Sequence, residues 1–247
     1  MAKKTSRKSV SFQPNESEVN SDADAPGSHS ESGKNAGSGS ANIEYKTKVP
    51  TLAYPIIPVQ NLFLVWDLFR RGLTEHIAET LLNSLPTVAV LSAAQGYLIT
   101  LASANSGKKS KKQTNVPLLI VGSVFMSFVL SVPLFGAILL FGAPLASHLT
   151  ETFLLAVHLS FLIFNPLLVL FKFDLDAFVS VFKAERIYRL IFGNYILASS
   201  LVAVAGVWIG VIPIPLDWDR PWQQWPITLL VGGYVGSVVG GALSVLF

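Results

Sequence analysis

Five long apolar segments constrain this chain more than any other feature of its sequence. Each contains about twenty residues with few charges, which is the length that an α-helix needs to cross the hydrocarbon core of a bilayer. Only 13% of the 247 residues are charged, whereas about a quarter are charged in an ordinary soluble domain. The pattern predicts an all-α polytopic membrane protein.

A sixth segment, over residues 51–69, is a weaker candidate for a span. Pro55, Pro58, Gln60 and Asn61 interrupt it, although membrane helices tolerate proline when neighbouring groups satisfy the freed carbonyls. The six predicted transmembrane helices cover residues 51–69, 80–101, 116–141, 152–171, 190–212 and 226–247.

Loop charges predict the orientation of these spans. Lysines gather in residues 108–112, between the second and third spans, and Lys and Arg recur in residues 172–189, between the fourth and fifth. Basic residues concentrate in cytoplasmic loops. We therefore expect six spans with both termini cytoplasmic, and the loop before the last span on the lumenal or exterior side.

The first forty-three residues differ in composition from the rest. They are rich in Ser, Gly, Asn, Asp and Glu and have almost no large apolar side chains, so they cannot bury enough surface to offset the entropy lost on ordering. We expect residues 1–43 to form a disordered cytoplasmic tail and residues 44–247 to form the six-helix transmembrane domain.

Residues 212–226, named here the Trp loop, form the most unusual polar segment. Their prolines prevent a continuous helix, and tryptophan favours the membrane–water boundary. Two interpretations are open: a surface that contacts a partner or a lipid headgroup, with Arg220 binding phosphate or carboxylate, or a self-contained turn with Arg220 paired to an aspartate. The candidate contact residues are Asp217, Trp218, Asp219, Arg220, Trp222 and Trp225.

Small residues in the last two spans indicate close helix packing, because they let backbones approach each other inside a membrane. We expect these spans to pack on each other, with packing on a partner protein as the alternative. The residues concerned are Gly206 and Gly210 in the fifth span and Gly232, Gly236 and Gly240 in the sixth.

Polar residues inside spans are costly and often mark function, although neutral ones also join helices by hydrogen bonds. We expect the second role for Asn83, Gln95 and Asn194. His158 and Asn165 are the candidates for a polar path, because the Asn165-Pro166 pair is expected to break the fourth helix and free carbonyl groups.

The sequence offers little catalytic chemistry. It has no cysteine, no pair of histidines at zinc-binding spacing, and no nucleophile elbow, Walker loop or dinucleotide fingerprint. We predict no catalytic residue, no metal site and no cofactor. The net charge of +3 is expected to reflect membrane topology rather than nucleic-acid binding.

Residues 213–226, followed by a glycine-rich last span, resemble the PIG-F family of glycosylphosphatidylinositol (GPI) anchor biosynthesis. Residues 185–188 and the Asn165-Pro166 pair are also similar to that family. The resemblance covers about residues 45–247, and the serine-rich tail is similar to that of fungal-type members.

The resemblance implies a non-catalytic subunit in the endoplasmic reticulum membrane, acting in GPI biosynthesis between GlcNAc-PI synthesis and GPI transfer to protein. Such a subunit stabilises the large catalytic ethanolamine phosphate transferase, its expected partner besides membrane lipids and the GPI precursor. One alternative is a lipid-handling protein that binds or positions the GPI or phosphatidylethanolamine substrate. Another is that the chain itself modifies lipids.

Overall fold

Helices make up most of the protein in the computed structural model, which describes Leu52 and residues 56–104, 115–144, 146–184, 186–216 and 218–246. The elements are α1 Gln60–Arg70, α2 Ile77–Ala104, α3 Val116–Leu140, α4 Leu149–Phe171, α5 Leu175–Phe182, α6 Ile187–Phe192, α7 Tyr195–Val211, a 3-10 turn Pro221–Gln223, and α8 Ile227–Leu243. The described residues contain no strand, so the predicted all-α class is confirmed for them. The predicted disordered tail, residues 1–43, lies outside them.

Three of these helices are long and apolar enough to cross a bilayer, namely α2, α3 and α4 with 28, 25 and 23 residues. They indicate a membrane protein. The apolar helices α7 and α8 have 17 residues each, or about 25 Å at 1.5 Å per residue, near the lower limit for a span. Because α1 has only 11 residues, the predicted number of six spans stays a prediction.

Within the first predicted segment, the described helix begins late. Helix α1 begins at Gln60, and residues 56–58 before it are not helical. Pro58 has no backbone N–H and a fixed φ, so it suits the entry to a helix better than its interior. The expectation of a span that begins at residue 51 is therefore wrong for the described residues 56–58.

The fifth predicted span is divided into two helices. The six-residue helix α6 ends at Phe192, and α7 begins at Tyr195. The Asn194 side chain causes the break, because its Oδ1 accepts hydrogen bonds from the N–H groups of Ile196 (3.0 Å) and Leu197 (3.4 Å). It thus caps the first turn of α7, and the expectation of a continuous helix from residue 190 is wrong.

Helix α4 lies at the centre of the bundle. Within its most apolar stretch 72% of the residues are buried, against 28% in α2 and 22% in α3. It packs against α2, α3, α7 and α8, while α7 and α8 form a closely packed hairpin beside it. The outer sides of α2 and α3 therefore face the surroundings, and the polar groups of α4 are enclosed by protein.

Candidate functional site

Glycines bring the backbones of α7 and α8 into direct contact. A Cβ atom placed on Gly206 would lie less than 3.0 Å from the carbonyl oxygen of Gly232, and a Cβ on Gly232 would meet the carbonyl oxygen of Gly206 equally closely. Gly210 faces the backbone of Thr228 in the same way. The contact is made inside one chain, so these glycines are not available to a partner helix.

The other two predicted packing glycines lie further along the same contact. A Cβ on Gly236 would be 2.5 Å from the carbonyl oxygen of Val202, and one on Gly240 would meet the backbone of Ala198. Since both neighbours are backbone atoms, no side-chain rotation can make room for a larger residue. All five glycines thus serve one interface, which we call the glycine seam.

His158 is the centre of a buried polar chain that links α2, α4 and α8. Its side chain is 0% exposed, its Nε2 lies 3.2 Å from both Leu81 O and Ser84 Oγ, and its Nδ1 lies 2.9 Å from Tyr234 Oη. A carbonyl only accepts hydrogen bonds, so Nε2 carries the proton. In the neutral ring Nδ1 then accepts from the Tyr234 hydroxyl.

Asn165, the second candidate for a polar path, points towards α3. It is 1% exposed, and its Nδ2 donates to Ser123 Oγ at 3.3 Å. Helix α4 continues through Pro166 to Phe171, so the expectation that Asn165-Pro166 breaks this helix is wrong. Near the proline, Ser200 Oγ of α7 donates to Ile163 O at 3.2 Å, which ties α4 to a neighbouring helix.

A second polar cluster joins α1, α7 and α8. Asn61 Nδ2 donates to Ser237 Oγ at 2.7 Å, and Ser199 Oγ donates to Ser237 O at 2.7 Å. Beside it, Gln60, Gln95 and other residues line a cavity of about 10 Å³, which is the volume that one water molecule requires. The buried polar residues described so far therefore act mainly between helices.

Gln223 holds the Trp loop in shape. Its Nε2 donates to Pro213 O (2.8 Å) and Leu216 O (2.9 Å), and its Oε1 accepts from the backbone N–H of Arg220 (2.9 Å). The side chain is only 9% exposed. Three hydrogen bonds from one amide thus close the loop on itself, and the sequence gives no signal that this glutamine differs from Gln224.

The tryptophans of the loop have different environments. Trp225 is partly buried and its Nε1 donates to Thr152 Oγ1 at 3.0 Å, which attaches the loop to the first turn of α4. Trp218 and Trp222 are 56% and 38% exposed, and their ring centroids are 5.9 Å apart. Trp225 is therefore a structural contact, while the other two rings are available to lipid or protein.

The charged residues of the loop do not form a closed ion pair in the part of the chain that the structure describes. Asp217 lies outside the described residues, and Asp219 has a left-handed backbone with φ of 46°. The ion pairs found elsewhere are Asp67 with Arg71 and His148 with Glu151. The guanidinium of Arg220 consequently has no described carboxylate within 4.0 Å.

A groove of about 380 Å³ opens between α1, α7, α8 and the Trp loop. Phe69, Trp222 and Val235 form parts of its walls, and Gly210 and Gly232 of the glycine seam also line it. Among the lining residues only Thr228 carries a hydroxyl group. Thr228 is 8% exposed, and its Oγ1 has no hydrogen-bond partner.

Comparison with known proteins identifies the family. The model of the GPI biosynthesis protein family Pig-F matches residues 56–245. The chain belongs to the Pig-F family. Three proteins called glycosylphosphatidylinositol anchor biosynthesis protein 11 are similar to it. The protein of Debaryomyces hansenii is 52% identical, over 77% of this chain and 82% of its own.

The other two are more distant. The Candida albicans protein is 40% identical over 82% of this chain and 84% of its own, and the Yarrowia lipolytica protein is 34% identical over 70% and 73%. No solved structure matches. The resemblance inferred from the Trp loop is confirmed, and this Pig-F chain takes part in GPI anchor biosynthesis.

The described residues of this Pig-F chain contain no group of three or more His, Asp or Glu side chains that is placed to hold a metal ion. The sequence interpretation missed Tyr234, Gln223 and Thr228, which only tertiary contacts single out. It also missed the buried serines of α3, although their spacing of four residues is a readable signal for a helix face. These serines are Ser123, Ser127 and Ser131.

Proposed function

We propose that this Pig-F protein is a non-catalytic subunit that stabilises a GPI ethanolamine phosphate transferase in the endoplasmic reticulum membrane. Two observations support the proposal: the chain belongs to the Pig-F family, and its intramembrane polar groups make hydrogen bonds between its own helices. His158 and Asn165, the polar residues best placed to serve a substrate path, both make hydrogen bonds to neighbouring helices. Such groups stabilise a scaffold.

The outer face of α3 is the surface that best suits a partner's membrane helices. Its apolar side chains recur at helical spacing and are exposed: Leu118, Val121, Phe125, Phe128, Val129 and Val132. Gly136 continues this face one turn further, and a Cβ placed on it would meet nothing within 4 Å. A small residue on an exposed helix face allows close approach of another helix.

We propose this surface, rather than the glycine seam, as the intermolecular contact. The alternative that Gly206, Gly236 and their neighbours pack on a partner conflicts with their contacts to each other. The stabilising effect on the large subunit would then come from burial of apolar area and close packing along α3.

We further propose six spans, with both termini cytoplasmic and the Trp loop lumenal. The hydrogen bond between Trp225 and Thr152 puts the Trp loop at the same end of the bundle as the start of α4. In the sequence, the lysines of residues 108–112 stand between α2 and α3. Glycosylation of Asn15 in cells would contradict a cytoplasmic amino terminus.

Affinity purification in mild detergent, with partners identified by mass spectrometry, tests the central proposal. We expect the large transferase subunit to co-purify with the full-length chain and Gly136→Leu to reduce its recovery several-fold. Val90→Phe, at a 68% exposed position of α2, is the control and should leave recovery unchanged. Purification without any transferase subunit would refute the proposal.

The non-catalytic assignment has a separate test. The purified chain, free of large subunits, is incubated with phosphatidylethanolamine and a mannosylated GPI precursor. We expect no transfer of ethanolamine phosphate. Transfer by the isolated chain would show that the chain is itself a lipid-modifying enzyme.

A second candidate function is lipid handling, in which the protein binds or positions a phospholipid or GPI substrate. The apolar groove with its unpaired Thr228 hydroxyl favours this candidate. Direct lipid binding or scrambling by the purified chain, without partners, is the measurement that supports it.

A further inference from the structure

We propose that the groove between α1, α7, α8 and the Trp loop binds one phospholipid of the surrounding bilayer. An acyl chain lies against Gly210 and Gly232, and the ester and phosphate oxygens lie at the first turn of α8. The site rests on the lipid-handling candidate above and on the proposed crossing of the membrane by α7 and α8.

The shape of the groove favours a single hydrocarbon chain. With its side chains, an α-helix is about 10 Å across and rises about 5.4 Å per turn, so about 380 Å³ holds roughly one turn of a partner helix. Gly210 and Gly232 of the glycine seam line the groove and add no side chain to it. A flexible unbranched chain follows such a surface, whereas a helix meets the walls at Phe69 and Trp222.

Thr228 gives the groove a polar end. Its hydroxyl group is buried and has no partner, although buried polar groups are nearly always hydrogen-bonded. An apolar chain alone leaves this hydroxyl unsatisfied. The Oγ1 atom is enclosed in the lipid-free protein, so Thr228 has to rotate about its Cα–Cβ bond before an ester or phosphate oxygen in the groove accepts its hydrogen bond.

The start of α8 adds a second reason for an anionic oxygen at this end. Its N-cap residue Pro226 provides no side-chain hydrogen bond. Ile227 N–H donates to Gln224 O, which leaves the N–H groups of Thr228 and Leu229 for an external acceptor. The positive end of the helix dipole attracts phosphate and carboxylate groups. Thr228 belongs to the same first turn and lines the groove.

Arg220 and the exposed tryptophans fit a headgroup above this end. Arg220 is two residues from Trp222, a wall of the groove, and its backbone is fixed by Gln223. Its guanidinium has no carboxylate within 4.0 Å among the described residues, and a guanidinium binds phosphate through two parallel hydrogen bonds. Exposed indole rings mark the headgroup level of a bilayer, which is the depth that a phosphodiester occupies.

Photolabelling tests whether a lipid occupies the groove. The full-length protein is reconstituted with phosphatidylethanolamine that carries a diazirine on one acyl chain, and the labelled residues are mapped by mass spectrometry. We expect labels near Ile209 and Val235, and at least about a fivefold loss with Val235→Phe, which fills the groove. Val239→Phe, one turn further along the same face and 45% exposed, should keep labelling within about twofold.

Equal labelling of the wild type and Val235→Phe would overturn the site. Cross-links from a partner protein, in place of lipid, would also overturn it and assign the groove to protein contact. Recovery of the large transferase subunit is measured on the same preparations. If the wild type shows no groove labelling but still recovers the large subunit, the lipid site is refuted and the proposed stabilising function is not.

A thermal-shift series tests the polar end. Added phospholipid should raise the Tm of the wild type, because a ligand that binds only the folded state stabilises it. Thr228→Val should raise the Tm without lipid, since it removes an unsatisfied buried hydroxyl, and should halve or abolish the lipid-dependent increase. Arg220→Gln should weaken the response to phosphatidylethanolamine but not to diacylglycerol, which has no phosphate. Wild-type responses from both variants would refute the assigned contacts.

Discussion

Substitution of Gly236 by alanine is the sharpest test of the glycine seam. The new Cβ would lie 2.5 Å from Val202 O and 3.2 Å from the Cα atoms of Ala203 and Gly206. Ordinary contact begins at 3.4 Å, so the two backbones must separate by about 0.9 Å at this point. Every neighbour involved is a backbone atom, and the whole helix has to move.

The expected cost follows from two opposing effects. Inserting a methyl group into a closely packed interface costs typically about 1–3 kcal/mol. Replacing glycine inside a helix by alanine recovers up to about 1 kcal/mol of helix propensity. We expect a net loss of about 1–2 kcal/mol, which lowers the Tm by roughly 3–8 °C for a chain of this size.

The assay is thermal unfolding of the detergent-solubilised protein, followed by the loss of monodisperse material on size-exclusion chromatography. Gly136→Ala is the matched control, because its Cβ would meet nothing within 4 Å and it retains the propensity gain. Its Tm should be unchanged or higher. If Gly236→Ala is as stable as Gly136→Ala, direct backbone contact between α7 and α8 does not exist.

Three further substitutions test the polar contacts. Tyr234→Phe removes the donor to the buried imidazole and should cost about 1–3 kcal/mol in the same unfolding assay; Tyr97→Phe, at a 51% exposed position, should cost almost nothing, and equal losses would contradict the buried chain. Asn194→Ala should cost about 1 kcal/mol through loss of the α7 cap, and Asn194→Ser should restore most of it. Gln223→Leu should make the Trp loop several-fold more sensitive to proteolysis, while Gln224→Leu should not; identical cleavage rates would refute the role of the buried amide.

Much of the helical architecture is readable from the sequence because a membrane selects strongly by length and polarity. The predicted spans 80–101, 116–141 and 152–171 coincide within a few residues with α2, α3 and α4. The apolar composition alone predicts these helices, because an unpaired backbone is too costly in lipid. The sequence of the Trp loop also resembles the Pig-F family, and the family match over residues 56–245 confirms this resemblance.

Local side-chain chemistry explains where the helix boundaries differ from expectation. Asn194 satisfies the first turn of α7 with its own side chain, so an apolar run from residue 190 becomes two helices. Pro166 has the reverse outcome, since α4 continues through it to Phe171. Hydropathy did not predict the break at Asn194, because the deciding interaction is a hydrogen bond at one residue.

The candidate site depends on tertiary structure to a greater degree. The spacing of Gly206, Gly210 and Gly232 predicts close packing, but it does not distinguish the neighbouring helix from a partner protein. The contact of α7 with α8 decides this, and it leaves the groove beside Thr228 as a consequence. No local pattern marks Thr228 as unpaired, because that property depends on atoms from several elements.

The sequence by itself determined that this chain is helical, apolar and a member of the Pig-F family, because those properties follow from composition and from one compact motif. The tertiary structure decided which buried polar groups have a hydrogen-bond partner and which have none. His158 and Tyr234 are 76 residues apart in the sequence, yet His158 Nδ1 lies 2.9 Å from Tyr234 Oη. Since hydrogen-bond satisfaction depends on such distant pairs, only the folded chain shows that His158 bonds to neighbouring helices and that Thr228 lines a groove.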